Sequence, residues 1–401
     1  MFNLKKLYLN FLSYLNIFKM DIEPNDENNE SIVNDFNSGQ SESDNEENNN
    51  NIINQEIEIQ NKKYNSAIYN FNYTYSFFKT HNILYTNYKC RVCNADMKIV
   101  NEKTFLDKIC FRCIKRNPKH DVKISIRKNT FLEDIRINMI SLFFLIFDCF
   151  INKLSANKAM IEFKNFQEQI DVDNVSISNI QKLFRVLRNK IKIKMHNDWK
   201  NNPLATEPYS DGISRVEIDE SKIISNNDKT YYMFELIDRQ TKNARVYCVL
   251  DKRTKETLLP LIKNNIYTVD DIKVKKYNNA EEIHNNCFST RIYSDCWSAY
   301  QYRDFRELGF LLHRINHSVW FGLGNFHTNT VEGLWSQIKR ICSDFSGINV
   351  TSLNYLSNNG VEIREYLDDW ICFSLFFRDI ERFKLNTNLK INLLINYLKN
   401  I

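Results

Sequence analysis

RVEIDESKI (residues 215–223) alternates apolar and polar side chains, the period of a β-strand with one buried face. Two further runs rich in β-branched and aromatic residues, TYYMFELIDR (230–239) and ARVYCVLDKR (244–253), follow it with turn residues between them. Short connections of this kind join antiparallel neighbours. The sequence therefore predicts three consecutive antiparallel strands, with a helix over 257–265 after them.

The same region continues with two more strand signals. STRIYSDCWSAY (289–300) predicts a fourth strand ending at Asp295, and LLHRINHS (311–318) favours a fifth. The amphipathic pattern of HTNTVEGLWSQIKR (327–340) then predicts a helix. Three hairpin strands, a helix, a strand, a helix and a strand make an α/β fold with a mixed sheet and flanking helices. This is the order of a ribonuclease H-like domain, which we expect over residues 210–385.

Three carboxylates fall on these elements in order. Asp219 lies on the first strand, Asp295 at the end of the fourth, and Glu332 on the following helix. The first and fourth strands are neighbours in such a sheet, so the three side chains are expected to converge. Like charges at close range raise one another's pKa unless divalent cations neutralise them. Two Mg²⁺ or Mn²⁺ ions about 3.5–4 Å apart would suit phosphodiester chemistry.

Glu332 also has a purely structural interpretation. With Asn329 at the N-cap, Glu332 three residues later would complete a capping box that satisfies amides of the first turn. On this stretch alone, the cap is favoured over a metal ligand. Glu217 adds a second ambiguity, because it shares the alternating face of Asp219 and is an alternative ligand on the first strand.

The cysteines predict a zinc ribbon over residues 85–127. Cys90 and Cys93 form one x2-spaced pair and Cys110 and Cys113 a second, the spacing of a tetrahedral site with four thiolates. Two disulfides are the alternative, but they require an oxidising compartment, and the first 20 residues lack a credible signal peptide. The other six cysteines are expected to be mostly buried free thiols: Cys149, Cys248, Cys287, Cys296, Cys342 and Cys372.

Residues 128–200 predict a helix-turn-helix region. Helical patterns cover 131–154, then Ser155 to about Phe166, and a third helix capped by Ser178. In a helix-turn-helix motif, a short helix is followed by a second helix that enters the major groove of DNA, and here the second helix is basic. The basic residues expected to contact DNA there are Lys182, Arg185 and Arg188.

Charge and the chain ends complete the sequence picture. Residues 21–58 carry twelve acidic and no basic residues and 1–20 carry three Lys, so the net charge of +5 implies about +14 for 59–401. A basic body favours a polyanionic partner, although a solvated Lys-rich surface explains it nearly as well. We expect a disordered acidic region over 1–61, a tail over 386–401, and no membrane span, because the longest apolar run is too short. A soluble protein follows, nuclear in a eukaryotic host and otherwise cytoplasmic.

Four motifs together resemble the Merlin-type DDE transposases and their bacterial insertion-sequence relatives. They are VEIDES (216–221), YSDCWSAY (293–300), NHSVWF (316–321) and HTNTVEGLWSQIKR. The resemblance covers roughly residues 85–385. It implies that Asp219, Asp295 and Glu332 are catalytic and bind the metal ions, and it favours Asp219 over Glu217.

The resemblance also implies partners and supporting residues. His327 and Asn329 would position the helix that carries Glu332. Apart from the resemblance, the basic residues Lys339 and Arg340 on that helix are expected to contact DNA. His317 either lines the substrate channel or is a core polar group. The family binds terminal inverted repeats of double-stranded DNA, cuts them and joins the 3′ ends to target DNA, with two Mg²⁺ or Mn²⁺ ions and a zinc ribbon upstream. A homodimer or larger assembly on DNA is expected. The alternative is a transposase-derived DNA-binding protein whose catalysis has lapsed, since the turn SKIISNNDKT (221–230) lacks the family's glycine.

Overall fold

The computed structural model describes residues 64–226, 229–251, 253–267, 290–316, 327–346, 353–354, 357–358 and 360–399. The expectations for the acidic region 1–61 and for His317 and Cys287 therefore lie outside the described residues. No helix in the described part is long and apolar enough to cross a membrane.

A small antiparallel sheet follows the first helix, α1 (Phe71–Thr80). Its strands are β1 (Lys98–Asn101), β2 (Ile109–Arg116) and β3 (Lys119–Ser125), in the order β1-β2-β3. β2 runs without a register shift, pairing with β1 on one side and β3 on the other. Alternate β2 residues therefore face opposite sides of this sheet.

The helical region contains three helices, one of them shorter than expected. They are α2 (Met139–Phe144), continued by a π-helical turn (Leu145–Phe150), then α3 (Ala156–Gln167) and α4 (Ile177–Asn201). The expected helix over 131–154 starts only at Met139. The buried Arg127 guanidinium donates hydrogen bonds to the carbonyls of Ile135 and Ile137, each at 2.8 Å, and Asp107 balances its charge. Backbone acceptors used in this way cannot continue a helical ladder.

The helix caps agree with the sequence at one helix and differ at the next. Ser155 is the N-cap of α3, as predicted. The N-cap of α4 is Ser176, whose hydroxyl accepts the backbone N–H of Asn179, whereas Ser178 lies inside the helix. The prediction of Ser178 as the cap was wrong by two residues.

The larger sheet has five strands and mixed direction. They are β4 (Ser214–Asn226), β5 (Lys229–Asp238), β6 (Ala244–Leu250), β7 (Thr290–Ser294) and β8 (Leu311–Arg314). Their order is β6-β5-β4-β7-β8; the first three are antiparallel neighbours, while β7 is parallel to both β4 and β8. The expected mixed α/β sheet with flanking helices is confirmed, and all five strands predicted from sequence are present.

Alternation along β4 separates the two faces of this sheet. Val216 and Ile218 pack in a cluster with residues of α5 (Lys255–Asn265) and α6 (Tyr302–Glu307). Residues facing the other way meet α7 (Asn329–Ser346) and α8 (Ile363–Arg382). Because side chains on a strand point alternately, Glu217 and Asp219 share the face of α7 and α8.

One hydrophobic core joins the helical region to the larger sheet. Phe150 lies with its ring centroid 5.3 Å from that of Phe184 on α4 and 5.3 Å from that of Phe373 on α8. The last residues join this core too: α9 (Thr387–Leu398) buries Leu394, Ile395 and Leu398. The segment expected as a tail over 386–401 thus contains helix α9, and α4 is a central helix packed on several sides.

Candidate functional site

Asp219 on β4 and Asp295, the first residue after β7, lie near each other, since the Asp295 charge raises the pKa of Asp219. The parallel register of β4 and β7 pairs Glu217 with Tyr293. Asp219 lies two residues beyond Glu217, and Asp295 lies two residues beyond Tyr293, just after β7. Each carboxylate accepts a local backbone N–H, from Glu220 at 2.8 Å and from Trp297 at 2.9 Å respectively.

Glu217 fixes the helix that carries Glu332. The fully buried Glu217 carboxylate accepts the backbone N–H groups of Thr330 and Val331, both at 2.9 Å, through one oxygen. Its other oxygen accepts Arg239 Nε at 2.6 Å. A carboxylate at the N-terminus of a helix satisfies orphan amides and complements the helix dipole. The start of α7 is thereby attached to the centre of the sheet.

The capping-box hypothesis for Asn329 is wrong in its geometry. Asn329 is exposed and is already the first residue of α7. The backbone carbonyl of Thr328 accepts the N–H of Glu332 at 3.1 Å, and the Thr328 hydroxyl donates to the Glu332 carboxylate at 3.1 Å. The first-turn amides of Thr330 and Val331 donate hydrogen bonds to Glu217 instead. Because Glu217 lies more than a hundred residues earlier in the chain, the sequence rules for helix caps could not predict these contacts.

His327 precedes this helix and contacts the same anchor. Its carbonyl accepts a hydrogen bond from Arg239, and its Nδ1 lies 3.5 Å from a Glu217 oxygen. Burial lowers the pKa of His327, and the Arg239 charge acts in the same direction. His327 therefore lies where it can hold the entry of α7, whereas Asn329 is exposed.

Electrostatics link Asp219 to both other acids. Burial raises the pKa of Asp219 to about 7, and the charges of Asp295 and Glu332 add to the increase. Glu220 on the opposite face has a pKa raised to about 8 by burial and by Asp219 and Asp295, with Arg253 3.8 Å away. Among the described residues, the oxygens of the three predicted ligands are not all within 4.8 Å of one another. The structure thus places the three acids as electrostatic neighbours, not as one tight cluster.

Glu235 is a further acid of this site that the sequence analysis missed. It is the cross-strand partner of Asp219 in the β4–β5 pair and is completely buried. Neither of its carboxylate oxygens has a hydrogen-bond partner in the described structure. Burial raises its pKa well above the usual value, and Asp219 adds to the shift. The only signal in the sequence is one acid within the apolar run YYMFELI, which alternation alone does not assign to a site.

Lys339 supplies positive charge to the same place. Burial lowers the pKa of its ammonium, and the charges of Glu235 and Asp219 oppose that effect. Its Nζ also lies 4.7 Å from the ring centroid of Trp335. The predicted DNA contact Lys339 therefore faces the carboxylates.

Four side chains at the small sheet could hold a metal ion, and one of them differs from the four predicted cysteine ligands. The donors are Cys90, Cys93, Cys113 and His120, all within 4.8 Å of one another. Nε2 of His120 lies 3.5 Å from Cys90 Sγ and 3.4 Å from Cys113 Sγ, and Cys93 Sγ lies 3.7 Å from Cys113 Sγ. His120 Nδ1 is 2.8 Å from the carbonyl of Pro118, so it can donate there and leave Nε2 for a metal.

Cys110 is not part of this group, and the prediction of four cysteine ligands is corrected. Cys110 and Cys113 are three residues apart on the regular strand β2, so they point to opposite faces. His120 on β3 pairs with Lys115 and Cys113 pairs with Val122, which puts His120 on the same face as Cys113. Two cysteines separated by two residues can bind the same metal ion only where the chain turns between them.

The basic residues predicted to bind DNA have unequal exposure. Arg185 is exposed, and the Lys182 ammonium donates to the carbonyl of Asp134 at 2.8 Å. Arg188 is only 8% exposed and stacks on Trp370 of α8, with 3.9 Å from its guanidinium carbon to the ring centroid. The prediction of Arg188 as a DNA contact is therefore wrong, because helix α8 covers that face of α4.

A basic cleft lies beside α7. It has a volume of about 480 Å³ and is lined on one side by Asn329, Gly333 and Arg340. Its other wall carries Lys242, Arg378 and Arg382, with Glu381 as the acidic exception. This concentration of cations on a concave surface suits a polyanion.

Comparisons with known proteins include a weak likeness to a solved structure. No protein-family model matches the chain, and no curated protein matches it. It is similar to a chain in the cryo-EM structure of the simian T-cell lymphotropic virus intasome in complex with PP2A regulatory subunit B56 gamma, with 10% identity and a TM-score of 0.22. That alignment covers 47% of this chain and 60% of the other. A TM-score this low carries no inference about the fold or activity of this chain.

Proposed function

We propose that this protein is a DDE transposase that cuts DNA at the ends of a mobile element and joins the 3′ ends to target DNA. The observation that carries the proposal is the proximity of three acids, because the charges of Asp295 and Glu332 both raise the pKa of the buried Asp219. The resemblance to Merlin-type transposases rests on the same three residues. The strand order β6-β5-β4-β7-β8 is also that of a ribonuclease H-like sheet, which supports the assignment.

The donor set fits divalent cations. Carboxylate oxygens are the ligands that Mg²⁺ and Mn²⁺ prefer. Asp219 is destabilised in its ionised form by burial and by two like charges, and bound cations would remove that cost. Asp219, Asp295 and Glu332 would hold the ions. When bound, such ions activate the attacking water or 3′-hydroxyl and stabilise the leaving oxygen.

The protein's own groups would position the acids and the DNA. The Glu217 contacts to the first turn of α7 would position the helix that carries Glu332. The cleft lined by Lys242, Arg340 and Arg382 would bind phosphates by charge, so its affinity should fall steeply with salt. Lys339 would offset part of the acidic charge of the site.

The test is a cleavage and strand-transfer assay on DNA that carries the sequences flanking the gene, with Mg²⁺ or Mn²⁺. We expect cuts that leave 3′-hydroxyl ends, and loss of cutting in Glu332→Gln with DNA binding retained. Glu307→Gln is the matched control, because Glu307 is exposed and forms an ion pair with the exposed Arg303, away from the acids of the site. Specific binding without cutting by the unmodified protein would overturn the proposal and favour a DNA-binding protein with lapsed catalysis.

We also propose that Cys90, Cys93, Cys113 and His120 hold one structural Zn²⁺. Three thiolates and an imidazole at separations of 3.4–3.7 Å match a closed tetrahedral zinc site. Zinc analysis should show loss of this ion in Cys113→Ser and retention in Cys110→Ser, its neighbour on the opposite face of β2. Equal loss in both variants would restore Cys110 as a ligand.

A further inference from the structure

A second group of mixed donors lies between two helices, apart from both sites above. His196 projects from the last turns of α4, while Asp368 and Cys372 are one turn apart on α8. Positions four residues apart lie on the same face of a helix, so both α8 side chains meet His196. The three donor atoms lie within 4.8 Å of one another.

The separations within this group are those of a tetrahedral metal site. His196 Nε2 lies 3.6 Å from Cys372 Sγ and 3.6 Å from Asp368 Oδ2. Ligand bonds of about 2.0–2.3 Å at tetrahedral angles place donor atoms about 3.3–3.8 Å apart. The His120–sulfur distances in the small sheet, 3.4 and 3.5 Å, are nearly the same. Two helices thus present nitrogen, oxygen and sulfur donors at coordination spacing.

The surroundings of the group orient its donors. Asp368 Oδ1 accepts the backbone N–H of Cys248 on β6 at 3.2 Å, which directs Oδ2 toward His196. The His196 ring packs beside Trp199 and Tyr247, with centroids 4.9 and 5.4 Å away. Orientation of a ligating carboxylate by a backbone hydrogen bond is typical of metal sites.

The charged neighbours do not exclude a cation. Lys192 is one turn before His196 on α4, but its ammonium is paired with Asp369 at 2.8 Å and with Glu365. Arg364 donates to the carbonyl of Cys248.

We propose that His196, Asp368 and Cys372 bind a second Zn²⁺ ion, which links α4 of the helical region to α8 beside the larger sheet. One nitrogen, one carboxylate and one thiolate suit zinc better than Mg²⁺ or Ca²⁺, which select oxygen. The His196 side chain is 27% exposed, so water can complete the fourth position. The ion stabilises the junction between the two regions.

The first experiment counts zinc in the full-length protein, purified under reducing conditions and dialysed against Mg²⁺-containing buffer. We expect two Zn²⁺ per chain in the unmodified protein and one in Cys372→Ala or His196→Gln. Cys149→Ala is the matched control, since Cys149 is another buried thiol outside the group, and it should retain two. One Zn²⁺ in the unmodified protein, or two in the His196→Gln variant, would overturn the proposal.

A second experiment identifies a sulfur ligand directly. Cys90→Ser with Cys113→Ser, loaded with Co²⁺, should still show a thiolate-to-cobalt charge-transfer band, which Cys372→Ala added to this background abolishes. A folded double variant without that band would refute the second site while leaving the carboxylate chemistry untouched. Should the double variant fail to fold, the zinc count of the unmodified protein decides the matter.

Discussion

Glu217 and Asp219 lie two residues apart on the same face of β4, yet their environments are opposite. Glu217 is fully buried but accepts two helix amides and the Arg239 guanidinium, so its charge is completely met. Asp219 accepts one neighbouring amide and faces Asp295, Glu332 and the unpartnered Glu235. A buried carboxylate with enough hydrogen-bond and ion-pair partners in the protein, such as Glu217, stabilises the fold. A buried carboxylate without them, such as Asp219, suits the binding of an external cation.

The largest expected effect is on catalysis at Asp219. Asp219→Asn should reduce DNA cleavage on the order of 10³-fold or more, because it removes a metal-binding carboxylate, while folding is retained. Single-turnover cleavage and thermal unfolding measure the two quantities separately. Cleavage at the normal rate by a folded Asp219→Asn protein would show that the Asp219 carboxylate, like that of Glu217, is not a metal ligand required for cleavage.

Glu217→Ala should act on stability instead. It leaves the nearly buried Arg239 without its carboxylate and two α7 amides without an acceptor. Breaking a buried charge pair in this way costs about 3–5 kcal/mol. Chemical denaturation gives the free energy of unfolding, and Glu307→Gln, at an exposed ion pair, should change it by less than about 1 kcal/mol. A similarly small change in Glu217→Ala would show that α7 is held by its apolar face alone.

Glu235→Gln should stabilise the metal-free protein at high pH. The pKa of Glu235 is higher in the folded protein than in the unfolded one, so the folded protein binds this proton more tightly. The stability that the proton contributes is therefore lost as the pH rises from the unfolded pKa to the folded pKa. Gln cannot ionise, and the advantage of the variant should grow from near zero at pH 4 to on the order of 1 kcal/mol at pH 8. Denaturation curves at both pH values measure it. A pH-independent difference would mean that Glu235 does not change ionisation on unfolding.

The smallest effect is a pH-dependent response to Mg²⁺. Because the Asp219 pKa is raised to about 7, protons compete with the metal below that pH. Saturating Mg²⁺ should therefore increase Tm by a few degrees at pH 8 and by less at pH 6. The increment should disappear in Asp219→Asn. An equal increment at both pH values would place the ion elsewhere.

Features that depend on local period and spacing could be predicted from the sequence. Alternation located β4, and the order of the elements was enough to place Asp219 near Asp295. Cys110 was misplaced because the face of a residue depends on whether the strand runs on unbroken, as β2 does. Arg188 was misplaced because its partner Trp370 lies far away in the chain, on α8. Glu235 was missed because its proximity to Asp219 exists only in the pairing of two strands.

The attachment of α7 to β4 also fixes when the site can form during synthesis. Glu217 and its amide partner Thr330 are separated by 113 residues. At translation rates of about 5–20 residues per second, this interval corresponds to roughly 6–20 s. Arg239 follows Glu217 after only 22 residues, so the ion pair can form within the nascent hairpin while the helix is still inside the ribosome. The ribosome therefore releases the hairpin before the helix, and Glu332 can reach Asp219 only after α7 has left the ribosome.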